Sequence, residues 1–163
     1  MHARPATDRD LPQIVALNRV VQDLHVRNEP DRYRPTDDAA VAAWLAEAAA
    51  RPGHALWVVE EDAVLLGYAL FVDRDVSASP FTRARRVFLV DQIAVAVAAQ
   101  GHGVGRLLME TAQELAGSVG VELTVRAHNS AAIGFYERLG YQVLQMVNPP
   151  PTHRGVTPVF HVM

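Results

Sequence analysis

Leu11, Ile14, Leu17, Val21 and Leu24 recur three and four positions apart, the repeat of one helical face. Thr7 supplies a cap ahead of them, and Asp8 and Asp10 suit the positive end of a helix. Pro5 biases Arg4 away from helix. The chain should therefore open on a short extended piece and enter a helix that fades near His25, before Asn28-Glu29-Pro30. A second helix is expected from the cap Thr36, with Asp37 and Asp38 in its first turn. Val41, Trp44, Leu45 and Ala48 form its apolar face, and Pro52-Gly53 ends it. Strand character follows at 55–60 and 64–72 around a hairpin turn, Glu61-Asp62-Ala63. Residues 73–84 read as a loop and 87–95 as a strong strand. A helix at 103–117 carries Val104, Leu107, Leu108, Ala112 and Leu115 on one face. A strand at 121–126 precedes a short helix that Asn129 caps and Gly140 ends. Strands at 141–147 and 156–162 close the pattern, with a stiff connection starting at Pro149-Pro150-Pro151.

The order is β-α-α-β-β-β-α-β-α-β-β. It predicts an α/β (α+β) fold with a mixed, mostly antiparallel sheet of about seven strands and helices on both faces. The 163 residues fit one domain, 1–163, with no repeat and no linker.

Composition narrows the chemistry. The chain has no cysteine, which removes thiolate metal sites, a catalytic Cys and disulfides. The formal charge is -3, from 15 basic and 18 acidic residues, which gives no nucleic-acid footprint. No apolar run reaches a membrane span or a signal core, so a cytoplasmic location is expected. Seven histidines stand at 2, 25, 54, 102, 128, 153 and 161, none four residues from another. No metal site is expected.

The run Gln100-Gly101-His102-Gly103-Val104-Gly105-Arg106 lies between a strand and a helix. Glycines there allow a ligand close to the backbone, and the N–H groups of the first helical turn favour an anion. The spacing fails the dinucleotide fingerprint, and no Gly-Lys-Ser/Thr follows for a phosphate-binding loop of the nucleotide hydrolases. From this run alone, a phosphate cradle and a plain glycine turn before a core helix both stand.

A second run, Asn129-Ser130-Ala131-Ala132-Ile133-Gly134-Phe135-Tyr136-Glu137-Arg138-Leu139-Gly140-Tyr141, follows the next strand. Together the two runs resemble the GNAT superfamily of N-acetyltransferases. Gln100, Gly103 and Gly105 match its Gln/Arg-x-x-Gly-x-Gly/Ala signature. Asn129, Ala132, Phe135, Tyr136, Gly140 and Tyr141 match its second element. The opening Arg4-Pro5-Ala6-Thr7 with Asp10-Leu11 is similar to the family's first strand and helix. The likeness covers nearly the whole chain.

The resemblance implies an acetyl-CoA-dependent transferase acting on a primary amine of a small molecule or peptide, by direct attack in a ternary complex. It places acetyl-CoA between the strands 87–95 and 121–126. Gln100 and the N–H groups of Gly101, His102, Gly103, Val104, Gly105 and Arg106 would hold the pyrophosphate. The backbone of Ile93 and Val95 would pair with the pantetheine arm. Asn129 and Ala132 would lie near the thioester, and Tyr136 would lie there as the general acid. Asp91 is the carboxylate on the strand face of Val87, Leu89, Ile93 and Val95, and is the candidate base. Some family members carry a glutamate where this chain has Leu89. Glu60 is a second candidate. The acceptor pocket is implied at the loop between the first two helices, with His25, Glu29 and Tyr33, and at Phe81. A homodimer through the last strand is compatible with the pattern. A different class of function, an acetyl-CoA-binding sensor or assembly module without turnover, stands beside the enzyme.

Overall fold

A computed structural model of the protein describes residues 1–126, 129–147 and 157–161. The elements follow the expected order. They are β1 (His2–Pro5), α1 (Leu11–Asn28), α2 (Asp38–Ala49), β2 (His54–Glu61), β3 (Val64–Val76), β4 (Arg85–Val95), α3 (Val104–Ala116), β5 (Val121–Thr124), α4 (Ser130–Arg138), β6 (Gln142–Val147) and β7 (Thr157–His161). The seven strands form a mixed sheet in the order β1-β2-β3-β4-β5-β7-β6. The pairs β1–β2, β5–β7 and β6–β7 are antiparallel, and β4–β5 is parallel. Expectations resting on His128, His153 and Pro149-Pro150-Pro151 lie outside the described residues.

Two compact units partition the chain. The first joins Met1–Phe71 to Gln92–Thr111, and the second joins Val72–Asp91 to Ala112–Met163. In the first unit both sheet faces carry helices. Tyr68, Leu70 and Ala94 pack with Ile14, Val15 and Leu17 of α1 and with Leu45 and Ala48 of α2. Beside Tyr68, the buried Gly67 meets Val104 and Leu108 of α3 instead.

An ion-pair knot closes the same unit. Arg4 of β1 donates to both carboxylate oxygens of Asp10, at 2.8 and 2.9 Å, and to Glu60 of β2. The Thr7 N–H also donates to Asp10, at 2.7 Å. Asp10 is thus a buried node rather than a charge decorating a helix end.

The structure corrects several boundaries. The cap of α2 is Asp37, whose side chain accepts from the Ala40 N–H at 2.8 Å, and not Thr36. Trp44 is 42% exposed, because Val41, Leu45 and Ala48 already fill the inward stripe and Trp44 lies about 100° around the helix from Leu45. Leu115 is exposed for the same reason, with Ala116 in the core. α1 continues past His25 to Asn28. β3 runs through Val76, so Asp73 is a strand residue, and Arg86 grips it with two hydrogen bonds at 2.7 and 2.5 Å. The β2–β3 turn narrows to Asp62 and Ala63, both at positive φ (50° and 64°), as a two-residue hairpin requires.

Candidate active site

In the first unit, β4 leads through Gln100 into the start of α3. Gly101 and Gly103 have φ of 80° and 86°, a region that costs any residue with a Cβ. A methyl group on Gly101 would meet nothing within 4 Å, so the surface above it is open. The first helical hydrogen bond runs from the Leu107 N–H to the Gly103 carbonyl, at 2.9 Å. The amides of Val104, Gly105 and Arg106 precede it and form the unsatisfied first turn. Arg106 is exposed beside them. These features fit a phosphate-bearing ligand. Within the run His102 is differently placed. Its N–H donates to the Ala99 carbonyl at 3.3 Å, and its Nδ1 lies 3.0 Å from the Gln100 carbonyl oxygen. The Gln100 side chain reaches back to the Val95 carbonyl at 3.5 Å.

β4 alternates in burial. Phe88, Val90 and Ala94 are buried, Leu89, Ile93 and Val95 half-buried, and Asp91 exposed. Among the described residues Asp91 takes no hydrogen bond, so no loop partner holds it. Glu60, by contrast, is engaged by Arg4, which removes it as a free base. The parallel register with β5 runs from Phe88↔Val121 to Val90↔Leu123. β5 ends at Thr124, one step further, whereas β4 continues to Val95.

In the second unit, Asn129 caps α4, accepting from the Ala132 N–H at 3.2 Å. Its carboxamide nitrogen is left for another partner. Tyr136 is 5% exposed, with its ring centroid 5.1 Å from Phe135 and 5.9 Å from Tyr141. Burial pushes the Tyr136 hydroxyl well above the usual phenol range, and Tyr141 adds to the shift. The phenol therefore keeps its proton at neutral pH. Phe81 is 94% exposed at a turn where the Ser79 hydroxyl accepts from the N–H groups of Phe81 and Thr82.

In the first unit again, the loop after α1 gathers His25, Glu29 and Tyr33. The Glu29 carbonyl accepts from the N–H groups of Arg32 and Tyr33, both at 3.0 Å, and the Glu29 N–H donates to the His25 carbonyl at 2.8 Å. The Tyr33 ring stacks on His25 at 4.8 Å, and the Arg32 guanidinium lies 5.7 Å from its centroid.

Sequence reasoning missed a polar chain in the same unit. Asn18 of α1 donates to the Tyr68 hydroxyl at 2.8 Å, and Tyr68 donates to the Gln92 carboxamide oxygen at 2.9 Å. The signal was present. Gln92 occupies the buried phase of β4, between Val90 and Ala94, where an apolar residue is the rule.

Among the described residues no cluster of three His, Cys, Asp or Glu side chains suits a metal ion. No described helix is long and apolar enough to cross a membrane.

A search of curated proteins finds no match. Solved structures give many. The tetramutant of the BH1408 protein from Bacillus halodurans superposes with a TM-score of 0.86 at 23% identity, covering 93% of this chain and 99% of that one. The ribosomal-protein-alanine N-acetyltransferase of Brucella melitensis gives 0.67 at 23% identity, with both chains fully covered. An aminoglycoside antibiotic 6'-N-acetyltransferase from Acinetobacter haemolyticus gives 0.70 at 15%, covering 94% and 99%. At these identities the likeness carries the fold. The model of the acetyltransferase (GNAT) family matches residues 18–141, about three quarters of the sequence and parts of both units. The chain belongs to the GNAT family of acetyltransferases.

Proposed function

We propose that the chain, acting as one catalytic domain over 1–163, transfers an acetyl group from acetyl-CoA to a primary amine of a small molecule or peptide. The observation that carries this reading is the start of α3: left-handed Gly101 and Gly103, open space above Gly101, and three unsatisfied amides beside the exposed Arg106. That is a pyrophosphate cradle on the chain of a transferase family. Main-chain groups of Ile93 and Val95, in the last part of β4, are proposed to pair with the pantetheine arm.

Bound acetyl-CoA supplies an activated thioester. The protein then has three tasks. An alkyl ammonium has a pKa of about 10.4 and must lose a proton before it attacks. Asp91, exposed and without a described partner, is the group proposed to take it, directly or through water. An N–H near Ile93 is proposed to steady the developing oxyanion. Tyr136 is proposed to protonate the departing sulfur. Its burial keeps the hydroxyl protonated at neutral pH, so the proton is there to give, and also makes it a weaker acid than a free phenol.

The test is CoA release, followed with a thiol reagent, across amines, amino acids, polyamines, aminoglycosides and peptides. Tyr136→Phe should lower kcat about 100-fold and leave the calorimetric Kd for acetyl-CoA unchanged. An unchanged kcat would remove Tyr136 from the chemistry. Failure to bind acetyl-CoA would sink the whole reading. Binding without turnover on any acceptor would favour the sensor module.

A further inference from the structure

The chain Asn18–Tyr68–Gln92 lies wholly in the first unit and joins α1, β3 and β4. Tyr68 is only 1% exposed, so its hydroxyl is deeply placed. It accepts from Asn18 Nδ2 at 2.8 Å and donates to Gln92 Oε1 at 2.9 Å, and Asn18 Nδ2 also stands 3.4 Å from that oxygen. Two donors therefore converge on Oε1 and fix the amide's orientation. Both hydrogens of Gln92 Nε2 are then turned away from the chain. Among the described residues Nε2 takes no hydrogen bond, and Gln92 is half-buried. The structure thus holds an oriented, unpaired set of donors on half-buried Gln92 of β4, directly before Ile93.

The helix above supports a ligand role. One stripe of α1 runs Ile14, Asn18, Val21 and His25. Ile14 is fully buried, whereas Asn18, Val21 and His25 are half-buried. The core closes under the first turns of α1 and opens from Asn18 onward. Gln92 meets the helix where it opens.

We propose that Gln92 is a specificity-determining residue that donates to a carbonyl oxygen carried by the acceptor close to its amine, and that Asn18 and Tyr68 are positioning residues that aim it. The inference rests on the transferase reading above and deepens it. It favours amino-acid-like or peptide amines over oxygen-free polyamines. A purely structural stitch between α1 and the sheet would use Oε1 equally but would have no need of a free Nε2.

The experiment compares glycinamide with isobutylamine, which has the same shape around the amine without the oxygen, and with putrescine. With kcat/KM expressed per free, unprotonated amine, the wild-type protein should favour glycinamide over isobutylamine by about tenfold or more, since a site built to hydrogen-bond a group rejects its analogue. Gln92→Glu keeps an acceptor for the Tyr68 hydroxyl but replaces the donors with a charge. It should abolish the glycinamide preference and raise putrescine turnover. Tyr68→Phe should raise KM for glycinamide several-fold with a smaller change in kcat. The Kd for acetyl-CoA should stay within twofold in all three proteins. Acetyl-CoA binding with no glycinamide preference, whether both amines react alike or neither reacts, overturns the inference and leaves the transferase reading standing. So does a Gln92→Glu protein with wild-type selectivity. Loss of acetyl-CoA binding in the wild-type protein would remove the underlying reading instead.

Discussion

Replacing Gly67 with alanine tests how the sheet seats the donor cradle. A methyl group there would stand 2.8 Å from Val104 Cγ1, 2.9 Å from the Ala94 carbonyl oxygen and 3.4 Å from Leu108 Cδ1. Carbon contacts are optimal at about 3.5–4.0 Å, so two neighbours must yield by more than half an ångström. Neither yields easily. Val104 is β-branched, 1% exposed and stiff at χ1, and the Ala94 oxygen is part of β4. Overpacking of this kind costs about 1–3 kcal/mol. Against it stands the usual gain of about 0.4–1 kcal/mol from restricting the unfolded chain. The net expectation is a loss of about 1–2 kcal/mol, or a Tm lower by about 3–6 °C for a chain of this length. Val104 is also the first residue of α3, so relief by moving the helix would displace the free amides of the cradle. The calorimetric Kd for acetyl-CoA should therefore weaken about tenfold. In a Val104→Ala background the same change should cost at least about 0.5 kcal/mol less, because the obstructing methyl is gone. A Tm that stays level or rises would refute the close approach. A lower Tm with an unchanged Kd would refute its link to the cradle.

Two further outcomes follow from local geometry. Ala63 holds a left-handed conformation that costs a residue with a Cβ about 1–2 kcal/mol, partly offset by the entropy that glycine loses. Ala63→Gly should thus raise Tm by about 1–3 °C by calorimetry, and a lower Tm would contradict the turn. Arg4, with help from Thr7, holds the Asp10 carboxyl well below the usual carboxylate range against the opposing effect of burial. The folded protein therefore binds its proton later than the unfolded chain, so this stability is complete above about pH 4 and is lost as pH falls below that value. Asp10→Asn should cost about 1.5–3 kcal/mol at neutral pH and flatten that acid decline in urea titrations, and an unchanged acid limb would remove Asp10 as its source.

The order of elements was legible because each helix and strand carries its own period and its own stops. Asn129 and Gly140 bracket α4 with side-chain and backbone chemistry readable in place. What failed to show were features set by contact. Trp44 and Leu115 look apolar enough for the core, yet each lies at the edge of a stripe that smaller neighbours already fill. Asp10 reads as a helix-end charge until β1 brings Arg4 to it. Gly67 reads as a weak point in a strand, and its reason, Val104, lies 37 positions away in sequence.

The same distinction divides the candidate site. The proposed donor side uses mainly main-chain groups, and backbone recognition leaves a local mark: glycines where a Cβ would strain the chain or block a ligand. Gly101, Gly103 and Gly105 fall within five residues, so a reader of the sequence meets the whole device at once. The proposed acceptor side uses side chains, and side chains converge from anywhere. Asn18, Tyr68 and Gln92 are separated by 50 and 24 positions, and each alone is an ordinary polar residue. β4 carries both kinds of information in alternate positions. Ile93 and Val95 are proposed to act through their main chain, which any side chain leaves in place. Gln92 is proposed to act through its amide, and shows only as a polar residue in an apolar phase. A polar residue out of phase in a strand that borders a glycine-marked cradle is therefore the sequence feature to seek when the acceptor of such a protein is in question.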